Sequence, residues 1–175
     1  MKTIELKLYQ FDELEEGAKQ TAIEKLFDIN VDHQWWDAVY YDAENVGIKI
    51  TGFDIDRGNF IEGDPINCIL EIAEKVMKEH GEHCETFLTA SNFMEERDEL
   101  VKKYSDGKNL EIVIEDNEYN FDEDCDELEN EFFKSILEDY LIMLRKDFEY
   151  LTSEEAIIET IRANEYAFTE DGKLY

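Results

Sequence analysis

The sequence predicts an α+β fold: about five helices packed on a small, mainly antiparallel sheet with a C-terminal β-hairpin. Three observations carry that expectation. Apolar residues recur at helical spacing through most of the chain. Period-two alternation is limited to short runs at the N-terminus, at residues 48–62 and 110–114, and at the C-terminus. With 43% hydrophobic and 13% aromatic residues, 175 residues suffice to bury a core as a single domain, 1–175.

The elements follow in order. In TIELKLYQ, Ile4, Leu6 and Leu8 alternate with Glu5 and Lys7, which reads as a strand. Asp12 with Glu15 has the spacing of a capping box, opening a helix with Leu14, Ala18, Ala22, Leu26 and Phe27 on one face. Asp32 is placed to cap a second helix, HQWWDAVYYDAENVG, with Trp36, Val39, Tyr40 and Ala43 on one face and Gly47 as its stop. Residues 48–62 read as a hairpin with a phase slip, hence a bulge, at Gly52. Asp64 and Pro65 read as the cap and first position of a helix running to His80, with Ile66, Ile69, Leu70, Ala73, Val76 and Met77 inward and Gly81 as its stop. A further helix is expected from Cys84 to Tyr104. Leu110, Ile112 and Ile114 alternate and lead into an acidic excursion at 106–124, read as strand or irregular chain. From Asp122 to Leu151 the pattern is helical. Thr152 with Glu155 forms the next capping box, and YAFTEDGKLY reads as strand, Asp-Gly turn, strand.

These phrases also carry a resemblance. LYQFDEL, AKQTAIEKLFDINVDHQWWD, GFDIDRGNF, HGEHCET, SEEAIIETI and NEYAFTEDGKL resemble segments of an uncharacterised family of phage and gut-bacterial mobile-element proteins. The resemblance spans most of the chain and brings no catalytic motif. It implies a phage setting, and so the functions phages need: counter-defence, host takeover and regulation.

Charge narrows the partners. The formal net charge is −29, and residues 109–175 hold 21 acids against 5 bases. Such a surface repels nucleic acid and anionic membranes and attracts basic proteins. No apolar run approaches the roughly 20 residues of a membrane span. The N-terminal segment lacks the apolar core of a signal peptide, and three unevenly spaced cysteines read as reduced thiols, so the expected location is the cytoplasm of a bacterial host.

Catalytic motifs are scarce. The chain has no nucleophile elbow, no P-loop and no dinucleotide fingerprint. Asp54 and Asp56 open a calcium-loop spacing, but Pro65 stands where the twelfth-position glutamate belongs. His80, His83 and Cys84 suggest zinc but lack a C-x-x-C pair. The expectation is therefore no enzyme, no cofactor and no metal, with a metal-dependent hydrolase as the lesser alternative.

The distinctive segment is EDNEYNFDEDCDELENE, residues 115–131, with ten carboxylates in seventeen positions and no lysine or arginine. It is expected to form a solvent-facing ridge, part loop and part first helical turns. Glu115, Asp116, Glu118, Asp122, Glu123, Asp124, Asp126 and Glu127 are the candidate partner-binding acids, with Tyr119 and Phe121 as aromatic anchors. The expected partner is a basic protein, a host nucleic-acid-binding defence protein such as a CRISPR effector or restriction enzyme. A second reading is an accessory protein whose acidity serves solubility.

Overall fold

The computed structural model describes residues 7–105 and 110–175, the side chains of 110–119 excepted. In chain order these form strand β1 (Tyr9–Gln10), a 3-10 turn (Phe11–Glu13), helices α1 (Glu16–Lys25) and α2 (Asp37–Val46), strands β2 (Ile48–Asp54) and β3 (Phe60–Pro65), helices α3 (Ile69–Glu79), α4 (Glu85–Ser105), α5 (Leu110–Leu151) and α6 (Glu154–Ala163), and strand β4 (Ala167–Phe168). The fold is α+β, as expected. Its strands form two separate antiparallel pairs, β1 with β4 and β2 with β3, rather than one sheet. The chain divides into two compact units, one made of the segment up to Trp36 with Arg145–Tyr175, the other of Asp37–Leu144.

In the first unit, α1 and α6 bury a shared stripe of Leu14, Ala18, Ala22, Ile23, Ile157 and Ile161, closed by Phe11 and Phe168. The two rings meet edge to face at 6.3 Å. Full burial of such side chains contributes about 1.5–3 kcal/mol each. The helix expected from Asp12 starts later. Glu13, not Glu15, closes the box, accepting from the Gln10 amide at 2.8 Å. Asp12 instead pairs with Arg162 at 2.6 Å, and Phe27 lies beyond the helix, largely exposed. Thr152 does not cap α6, because its hydroxyl donates to the Phe148 carbonyl. Ser153 caps instead, accepting from the Ala156 amide. The expected C-terminal hairpin is reduced to β4, a turn at Gly172 (φ +78°) and a single bridge from Phe168 to Leu174. A side chain at Gly172 would collide with the Ala18 carbonyl, so the turn needs glycine twice over. Ile4 and Leu6 of the expected N-terminal strand lie outside the described residues.

In the second unit, α2 runs into β2 through Gly47 at φ +98°, the stop that its position suggested. Val39, Ala43 and Val46 are its buried face. Asp32 does not cap it; its carboxylate faces the neighbouring His33, and Trp35 and Trp36 precede the helix. The β2–β3 ladder shifts register between Ile50 and Gly52, the bulge expected there. At the hairpin tip the Asp54 carboxylate accepts from the amides of Asp56, Arg57 and Gly58, which is why it serves the turn rather than a cation.

Two expectations fail in this unit for clear reasons. Asp64 and Pro65 end β3 rather than open a helix: Pro65 pairs with Ile48, and the ladder closes with the Ile66 amide donating to the Gly47 carbonyl at 2.8 Å. Proline is tolerated there because it ends a two-stranded ribbon. The helix begins three residues after Ile66, with Cys68 at the cap position, and Ile66 is exposed. It ends at Glu79 with extended backbone at His80, one residue before Gly81 acts. The second failure concerns 110–124. Leu110 and Ile114 are also four apart, and no glycine or proline falls between Gly107 and Gly172, so one unbroken α5 replaces the expected strand or excursion. Its Phe132, Ile136, Tyr140 and Leu144, spaced four apart, are buried. Among the described residues, no helix is long and apolar enough to cross a membrane.

Candidate partner-binding surface

The acidic residues acquire their geometry from the way α4 and α5 lie side by side. Thr89 of α4 donates to Asp139 of α5 at 2.7 Å. Phe93 stacks on Phe132 at 4.5 Å, and Tyr104 meets Phe121 edge-on at 5.3 Å. These contacts ascend α4 while descending α5, so the two helices are antiparallel. Phe132 faces inward with 4% of its surface exposed, and the four-residue spacing carries the same face through Leu128. The acids between these positions are forced outward.

Asp122, Glu123, Asp126, Glu127 and Glu131 are exposed, and Glu129 is half exposed. All lie well inside α5, so the favourable field at a helix N-terminus does not relieve their repulsion. Asp124 differs. It pairs with Lys103 at 2.8 Å and receives the Tyr104 hydroxyl at 2.9 Å, and these two partners hold its carboxyl below the usual range. Phe121 is half-buried against Tyr104 rather than standing free as an anchor. Of the candidate acids, then, Asp122, Glu123, Asp126 and Glu127 present open carboxylates, while Asp124 ties α5 to α4. Glu115, Asp116, Glu118 and Tyr119 lie on the same helix, with side chains outside the described residues.

The surface is wider than residues 115–131 alone. Exposed Glu96 of α4 joins it from the neighbouring helix. Between the helices lies a cleft of about 260 Å³ lined by Thr89, Asn92, Phe93, Glu96, Leu128, Glu131, Phe132 and Ser135. Residues from two distant segments build it, and only the acid-rich run EERDE at 95–99 hinted at the α4 contribution.

Other titratable groups form a closed network. The side chain of His80 is 9% exposed. Its Nδ1 lies 2.7 Å from the Thr86 hydroxyl. Its Nε2 lies 3.3 Å from Asp42 Oδ2 but off the line of a hydrogen bond, leaving that nitrogen with no aligned partner. The Tyr140 hydroxyl donates to the same Asp42 oxygen at 3.0 Å. His80 and then Tyr140 hold the Asp42 carboxyl below its usual range, against the opposing effect of burial. Thr86 is 3% exposed, so the hydroxyl end of this Asp–His–Thr alignment is closed off and only Asp42 reaches the surface, an arrangement that reads as packing. The network takes His80 away from His83 and Cys84, which stay exposed. Among the described residues, no three His, Cys, Asp or Glu side chains come together as a metal site. Cys125 on α5 has its thiol pushed up by burial, which keeps it a poor nucleophile. No protein-family model, curated protein or solved structure matches this chain.

Proposed function

We propose that this protein is an acidic inhibitor that occupies a basic nucleic-acid-binding groove of a host defence protein, in the cytoplasm of a phage-infected bacterium. The mechanism is occlusion: long-range attraction by α5, then steric blockage of the groove, without catalysis. The supporting observation is the charge spacing on an unbroken helix. Residues 122–131 carry seven carboxylates in ten positions. At about 1.5 Å of rise per residue that is roughly one charge per 2 Å of axis, against about one per 1.7 Å along duplex DNA. The resemblance to phage and mobile-element proteins supplies the setting. CRISPR effectors and restriction enzymes are the class of target that presents such a groove.

The test is displacement of duplex DNA from CRISPR effectors and restriction enzymes of phage hosts, at low and at high salt. The parent is expected to displace DNA with a potency that falls as salt rises. Changing Asp122 and Asp126 to Asn, and Glu123 and Glu127 to Gln, together should leave the fold intact and weaken displacement about ten-fold or more. Equal displacement by parent and variant at low salt would reduce the acidic face to an aid to solubility.

A further inference from the structure

We infer that the cleft between α4 and α5 is an anchor site for an arginine side chain of the basic partner. The inference rests on the reading of the acidic face as a partner-binding surface and deepens it: the face attracts, and the cleft selects.

The cleft combines features that a merely solvated surface lacks. Its apolar side is half-buried Leu128, backed by the edges of the stacked and almost fully buried Phe93 and Phe132. Its rim holds Glu96 and Glu131, one from each helix, both exposed. Neither carboxylate has an ion pair or a hydrogen bond among the described residues, and no lysine or arginine lines the cleft. Asn92 and Ser135 add hydrogen-bonding capacity, while the Thr89 hydroxyl is already engaged by Asp139. The first unit provides a contrast. Its cavity beside α1 and α6 also has an acidic rim, but there two of the three acids are paired, Asp12 with Arg162 and Glu16 with Lys19, and two cations line it.

The chemistry of the lining excludes most occupants. An anion is repelled by two carboxylates. A purely apolar side chain would strip water from both carboxylates and return no hydrogen bond. A long side chain with an aliphatic stem and a cationic head satisfies both parts, the stem along Leu128 and the head at the rim. Between the two natural choices, the guanidinium presents five N–H donors in a planar fork. It can serve two carboxylates and still reach the Asn92 and Ser135 oxygens. An ammonium offers three donors from a single point and gains less from carboxylates on opposite walls.

The experiment uses the full chain and three small probes: the N-acetyl amides of arginine, lysine and citrulline, the last an uncharged isostere of arginine. Binding is read by NMR at the Leu128 methyl groups and the Asn92 side-chain amide. Saturable shifts are expected with the arginine amide, weaker binding with the lysine amide and none with the citrulline amide. Glu96→Gln with Glu131→Gln should weaken arginine binding about ten-fold or more, because two charge-assisted contacts are lost. Both positions are exposed, so the double variant is expected to fold. Equal binding of arginine and lysine amides, shifts that never saturate, or shifts indifferent to the double variant would overturn the inference. Failure here is distinguishable from failure of the acidic face. If the cleft binds no arginine amide while the Asp122, Glu123, Asp126, Glu127 variant still loses DNA displacement, the cleft falls and the face stands. If that variant displaces DNA like the parent while arginine amide saturates the cleft, the face falls and the arginine site stands.

Discussion

Two groups of acids in the second unit meet opposite fates. Asp42 is drawn into a closed arrangement with His80 and Tyr140, which connects α2, the end of α3 and α5. Glu96 and Glu131, and the open acids of α5 beside them, stand in water with no internal partner among the described residues. The residue type is similar, but its neighbours differ. An acid with an oxygen engaged by the fold contributes to holding the fold. An acid left open contributes little to stability, and several open acids of one sign repel one another. Position in this sense separates structural carboxylates from those available to a partner, and it separates Asp124 from Asp122 and Asp126 only a turn or less away.

The comparison is broken most severely by removing the centre of the closed arrangement. Tyr140 is fully buried, so Tyr140→Ala should destabilise by about 3–5 kcal/mol in chemical denaturation. Asp42→Ala comes next. It leaves the Tyr140 hydroxyl without its acceptor and the buried imidazole without the carboxylate beside it, a loss of about 1–3 kcal/mol. Tyr140→Phe keeps the packing and removes one hydrogen bond, so about 0.5–1.5 kcal/mol is expected.

Acid sharpens the contrast. The folded Asp42 carboxyl lies below its unfolded value of about 3.9, so between the two the unfolded chain binds more protons. The stability from Asp42 is therefore fully present above that unfolded value and is lost as pH falls through the folded one. Asp42 is 40% exposed, so screening makes this slope shallow. Thermal melts below pH 5 should show a flatter acid-side decline in Asp42→Asn than in the parent. The smallest effect belongs to the open acids. Neutralising Asp122, Glu123, Asp126 and Glu127 should change stability by only about 0.5 kcal/mol, toward higher stability, because exposed charges contribute little and these repel. A loss of several kcal/mol in that variant would show that the acids hold the fold together after all.

Much of this contrast was legible in the sequence and part of it was not. The outward acids of α5 follow from the four-residue spacing of its apolar positions. Gly47 and Gly52 announce a stop and a bulge because backbone geometry at those points is local. Pro65 misled because a proline after an aspartate suits a helix start and a strand end alike, and only pairing with Ile48 decides. Ser153 took the cap from Thr152 for a similar reason: adjacent hydroxyls compete, and the backbone angles choose. Leu110, Ile112 and Ile114 fit both periods until the rest of α5 extends one of them. The division of the strands into two pairs, the Asp42 network and the cleft all depend on residues far apart in the chain, beyond the reach of any short window.

The partition of the chain into units bears on the order in which it acquires structure. The second unit is one continuous stretch, Asp37–Leu144, whereas the first needs both the segment before Asp37 and the last 31 residues, Arg145–Tyr175. The Asp12–Arg162 pair closes across 150 positions. During synthesis, the residues from Phe11 to Ile23 emerge early and must wait, apolar face uncovered, until Ile157, Ile161 and Phe168 leave the ribosome. The continuous unit meets no such delay, and contacts across long separations form slowly in any case. The α1 stripe of the nascent chain therefore stays bare until α6 and β4 follow. In a chain shortened before α6, the stripe has nothing to cover it. Such a chain keeps the acidic helices and exposes Leu14, Ala22 and Ile23, a surface that invites aggregation or capture by chaperones.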